Sequence, residues 1–160
     1  IRDSYQDTSD NAIQCIPAKI KEINPIADVC ILEVPTIVQS NFILDSTDSV
    51  QVGESIAVFG YPHSDHGRMV LTQQDTSIGA KILIESSGIK LKNIVLNIQS
   101  RPGQSGSPIV IPEKRAIAGL LIGSYAPQVN GSISIGGIDP QTLHQTTHAI
   151  SAEYIKEMLE

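Results

Sequence analysis

Short apolar runs, broken at close intervals by glycine, proline, asparagine and aspartate, constrain this chain more than any other feature. Runs rich in Val, Ile and Leu recur from end to end. Strands are expected near Ala12–Ile23, Asp28–Val34, Ser55–Gly60, Arg68–Gln73, Ala80–Ser86, Asn93–Gln99, Ser107–Pro112, Ala116–Tyr125 and Ser132–Gly137. So many short strands at fairly even spacing point to barrels or a sandwich rather than a parallel βαβ sheet. One helix is expected at the C-terminus, capped by Ser151 and carrying Ile155, Met158 and Leu159 as its apolar stripe. Residues 35–54, with Pro35, Asn41, Asp45, Asp48 and Gly53, look like a connection between two β units.

Composition narrows the function classes. A net charge of −6 leaves no basic stripe to displace counterions from a nucleic acid. No apolar run approaches the length that crosses a bilayer. The two cysteines, Cys15 and Cys30, make no disulfide framework and have no metal-ligand spacing; they are expected as buried free thiols. Asn130-Gly131-Ser132 matches a glycosylation sequon, a triplet that also arises by chance.

The strongest chemical signal is Arg101-Pro102-Gly103-Gln104-Ser105-Gly106-Ser107-Pro108, running into Ile109-Val110-Ile111. A serine hydroxyl is almost fully protonated at neutral pH and needs help to act as a nucleophile. Flanking glycines let the backbone turn sharply enough to expose the hydroxyl. They also let the N–H groups of Gly103 and Ser105 converge on a developing oxyanion. By pattern alone, a Gly/Ser/Pro surface turn explains the segment as well.

In context the segment resembles the Gly-Asn-Ser-Gly-Gly-Pro signature of trypsin-like proteases of the HtrA type. It is closer still to the Gly-Asn-Ser-Gly-Ser-Pro form of bacterial glutamyl endopeptidases. Ala27-Asp28-Val29-Cys30-Ile31-Leu32 resembles the motif bearing the triad aspartate in that family. Val52–Pro62 is similar to the opening strand of the second barrel, Ala116–Tyr125 to the glycine-containing substrate-binding strand, and Thr147–Ser151 to the closing strand before a terminal helix. The resemblance spans essentially the whole chain in the family's order. It implies an all-β, chymotrypsin-like double barrel, with a partial first barrel at 1–38, a connection at 39–51, a complete second barrel at 52–150 and a helix at 151–160.

By the same resemblance Ser105 is the nucleophile, Asp28 orients the histidine, and Gly103 and Ser105 supply the oxyanion N–H groups. No cofactor and no metal is implied, and the partner is a polypeptide substrate. In the family the histidine precedes the aspartate, yet His63, His66, His144 and His148 all follow Asp28. The expectation is therefore that a segment upstream of Ile1 carries the histidine and completes the first barrel, so that residues 1–160 alone are inactive. Activation by a new N-terminal ammonium is not expected, because Gln104 stands where that mechanism needs an aspartate. Substrate-binding residues would be Gln99, Ser100, Leu121, Ile122, Gly123 and Ser124. With no histidine on that strand and no pocket aspartate, the pocket is expected to favour an uncharged side chain.

Two rivals stand beside the protease. One is a non-catalytic trypsin-like module that binds peptides along residues 119–125 by strand addition. The other is a metal-dependent hydrolase built on His63-Ser64-Asp65-His66, a cluster better explained as a solvated loop lacking a third ligand.

Overall fold

A computed structural model describes residues 5–9, 15–36, 39–125 and 146–160. Two antiparallel strands, β1 (Lys19–Asn24) and β2 (Val29–Glu33), form a separate hairpin. The short β3 (Ile43–Leu44) and a 3-10 turn at Thr47–Ser49 lie in the connection. There follow β4 (Ser55–Gly60), β5 (Thr72–Ser86), β6 (Ile89–Leu96), β7 (Pro108–Ile111), β8 (Ala116–Tyr125), β9 (Thr146–Ser151) and α1 (Glu153–Leu159).

The sheet runs β3-β8-β7-β4-β5-β6-β9, and pairing of β8 with β9 closes the last six strands on themselves. Closure removes the unpaired edges that an open sheet would leave. Alternating residues fill the interior: Val58, Ile78, Ile94, Ile109, Ile111, Leu121 and Ala149 form one buried cluster. Each isoleucine there contributes roughly 1.5–3 kcal/mol by leaving water. Gly119 marks a close strand approach, since a Cβ at that position would overlap the carbonyl oxygen of Ile150 across the β8–β9 ladder. Gly119→Ala should therefore pry the two strands apart and cost about 3 kcal/mol or more, read as a lower midpoint in urea. A loss below about 1 kcal/mol would mean that the ladder can absorb a methyl group.

A second cluster lies outside the barrel. Ala27 and Val29 from the hairpin meet Leu91, Leu120, Ile122 and Ile150 of the barrel and Tyr154, Ile155 and Met158 of α1. This seam fixes the β1–β2 turn against β8. The far side of the hairpin is uncovered: Ile20, Ile23 and Leu32 are all more than half exposed.

Several expectations are corrected. The runs Arg68–Gln73 and Ala80–Ser86 are not two strands; one strand, β5, begins at Thr72, leaving residues 68–71 outside it, and continues through the second run, with Gly79 at a bulge where register shifts between Ile78 and Ala80. β6 begins and ends earlier than its apolar run, because Ser87 and Gly88, both at positive φ, make a two-residue hairpin turn. Ser151 does not cap α1. It ends β9, and its hydroxyl accepts the N–H of Thr47, while Ala152 precedes the helix. Leu159 is exposed and Tyr154 takes its place on the buried stripe. Cys15 and Cys30 are free but exposed, since Cys30 faces the uncovered side of the hairpin. The strand expected at 132–137, the sequon at 130–132 and His144 lie outside the described residues.

Candidate active site

Ser105 stands at the tip of the turn between β6 and β7, exposed to solvent. Its hydroxyl points to the carbonyl of Ile122 at 3.4 Å, longer than an ordinary hydroxyl hydrogen bond and correspondingly weak. The turn is tied to β8 on either side of that contact. Gly106 N–H donates to Leu121 O at 2.7 Å, and Leu121 N–H donates to Ser107 O at 2.9 Å. Gly103 and Gly106 occupy positive φ, +86° and +84°, which side-chain-bearing residues rarely adopt.

A second loop buttresses the turn. His63 N–H donates to Pro102 O at 2.7 Å, and Ser64 Oγ donates to Gly103 O at 3.4 Å. In a trans peptide the carbonyl and the following N–H point in opposite directions. Holding the Pro102 carbonyl toward His63 therefore turns the Gly103 N–H away from this loop. Among the described residues, neither that N–H nor the N–H of Ser105 meets an acceptor.

Asp28 closes the four-residue turn between β1 and β2, exposed and at φ +55°, a conformation that aspartate tolerates. Asn24 builds that turn: its Oδ1 accepts the N–H groups of Ile26 and Ala27 at 3.1 and 3.0 Å. Ile26 and Ala27 share the outer apolar cluster with Ile122, whose carbonyl receives the Ser105 hydroxyl. One seam thus joins the Asp28 turn to the strand beside Ser105.

The remaining predicted residues divide by role. Leu121 is buried in the barrel core and offers its backbone alone. Ile122 is half-buried. Gly123 leaves open space where a side chain would stand. Ser124 and Gln99 are exposed, and Ser100 donates its N–H to Thr147 Oγ1 at 2.8 Å, which itself donates to Ile98 O at 2.6 Å.

His148 sits in β9 opposite Gly123, stacked on Tyr125 with ring centroids 6.0 Å apart and its Nε2 3.1 Å from Thr146 Oγ1. Burial lowers its pKa, favouring the neutral ring. His63 and His66 belong to the buttressing loop, where His66 Nε2 lies 3.6 Å from Asp65 Oδ2. None of these three rings bonds to Ser105. Among the described residues no three His, Cys, Asp or Glu side chains gather into a metal site.

No family model matches this chain, and no curated protein does. Solved structures do. The MamO protease domain from Magnetospirillum magneticum, in its apo form, superposes with a TM-score of 0.65 at 14% identity, over 96% of this chain and 72% of its own. Rv3671c from M. tuberculosis, described as a protease in its active form, gives 0.64 at 18% identity over 90% of this chain and 57% of its own. The inactive form of the same protein, a serine-to-alanine mutant, gives 0.62 at 17% over 90% and 63%. This is the chymotrypsin fold of trypsin-like proteases. Identities this low establish the chymotrypsin fold alone, and the chain spans 57–72% of the lengths of these structures.

Sequence reasoning missed three parts of the candidate site within this fold: Asn24 in the Asp28 turn, the loop at 61–67 behind Gly103, and Gln74 beneath the turn that carries Ser105. Only Gln104 gave a signal, as a neutral residue where a charged one was sought.

Proposed function

We propose that the complete protein is a serine endopeptidase that cleaves peptide bonds through an acyl-enzyme on Ser105. The observation that carries this reading is the turn itself. An exposed hydroxyl stands beside two N–H groups left without acceptors among the described residues, with one peptide plane held from behind by His63. Ser105 Oγ attacks the substrate carbonyl carbon while a histidine takes its proton. The N–H groups of Gly103 and Ser105 steady the oxyanion, the histidine protonates the leaving amine, and water then releases the acyl group. Asp28 orients the histidine, which an upstream segment supplies while completing the first barrel. The uncovered apolar side of the β1–β2 hairpin supports that placement.

A fluorophosphonate probe, which labels only an activated serine, tests this reading. The complete protein should label rapidly, whereas residues 1–160 alone should not, because no described histidine reaches Ser105. Rapid labelling of the verified 160-residue chain would show that another residue serves as base. No labelling of the complete protein would favour the non-catalytic peptide-binding module, for which the strand at 119–125 is equally suited.

The pocket is read as favouring an uncharged residue before the scissile bond. Neither Gln99 nor Ser100 brings a charge, and burial favours the neutral ring at His148. A peptide library cleaved by the complete protein measures this, and a clear preference for Glu, Lys or Arg contradicts it.

A further inference from the structure

Gln104 is almost completely enclosed, with 1% of its surface exposed, although it stands between the exposed residues Gly103 and Ser105. A buried carboxamide is costly unless both ends find partners. Both do. Its Oε1 accepts the N–H of Arg101 at 2.7 Å, closing the turn on itself, and its Nε2 donates to Oε1 of Gln74 at 2.6 Å.

Gln74 belongs to β5, at the position paired with Val58 of β4. Val58 in turn pairs with Ile109 of β7, the strand that leaves the nucleophile turn. The bond between the two glutamines therefore ties the inner side of the turn to the barrel wall two strands away. Gly60, near the end of β4, makes the room: a Cβ there would collide with the hydroxyl of Ser107 and touch Cγ of Gln104. The outer side of the same turn is held by His63 and Ser64 through backbone carbonyls.

We propose that Gln74 and Gln104 form a neutral latch that positions the nucleophile turn, setting the backbone at Gly103 and Ser105 without any charged partner. Both are positioning residues, because neither meets the reacting atoms. The kinetic part rests on Ser105 being the nucleophile; the structural part does not.

The test uses the complete protein with Gln74→Leu, which removes the acceptor at similar volume, and Gln74→Glu, which keeps an acceptor oxygen. Hydrogen exchange should quicken about tenfold or more at the amides of residues 101–107 in Gln74→Leu, and return to the parent rate in Gln74→Glu. Where the parent is active, kcat should fall roughly 10- to 100-fold in Gln74→Leu with KM little changed, and Gln74→Glu should recover most of it. Unchanged exchange at 101–107 overturns the latch. So does faster exchange spread evenly through β4–β7, failure of Gln74→Glu to restore the parent behaviour, or local loosening with kcat intact. If the parent proves inert at Ser105, the exchange measurement still decides the latch, and the protease reading alone fails.

Discussion

Ser105→Ala in the complete protein should lower peptide or ester hydrolysis by several orders of magnitude while leaving the fold intact. The loss follows from chemistry, since in the proposed mechanism the hydroxyl oxygen is the atom that forms the acyl bond. The survival of the fold follows from geometry. The side chain is exposed, and among the described residues its one hydrogen bond is the long one to Ile122 O, whereas the turn is held by the backbone of Gly106, Leu121 and Ser107. Measuring kcat/KM on an ester substrate beside a thermal melt separates the two effects. Near-normal turnover in the variant would remove Ser105 from the nucleophile's role.

Gly103→Ala should lower kcat by about 10²–10³-fold, the usual effect of losing one oxyanion donor. Alanine at φ +86° costs about 1–2 kcal/mol on its own. Here a Cβ would also lie 2.5 Å from Ser64 Oγ, 2.8 Å from Ser64 N and 2.9 Å from Tyr61 O. Two of those atoms are backbone and cannot swing aside. The turn must rotate off the loop, breaking the bond from His63 that fixes the Pro102–Gly103 peptide. Gly106→Ala is the control, since it carries similar strain at φ +84° but meets open space. It should retain far more of kcat. Equal losses in the two variants would mean that strain alone, not the orientation of the Gly103 N–H, sets the rate.

The barrel was legible because its inner positions must alternate and its turns must use glycine, proline or asparagine. Ser55–Gly60 and Ala116–Tyr125 were bounded by such signals and are strands over those residues. The long β5 was misjudged as two strands because Gly79 marks a bulge here, not a break. Ser105, Gly103 and the strand at 119–125 were singled out because a glycine-flanked serine before an apolar strand is a local pattern. Asp28 was singled out through its motif, but its relation to Ser105 passes through Ile26, Ala27 and Ile122, residues scattered along the sequence. The Gln74–Gln104 bond joins positions thirty residues apart by side chains that carry no charge. Neither periodicity nor turn chemistry points to such a pair, and only the closed barrel brings them together.

Trapping the intermediate tests the central claim most directly. The complete protein is mixed with an activated ester, quenched in acid during the initial burst, digested and mapped by mass spectrometry. The acyl group should be found on the peptide containing Ser105, and it should be absent from the same peptide of the Ser105→Ala variant. An acyl group on another residue, or a burst of product with Ser105 unmodified, would contradict the account.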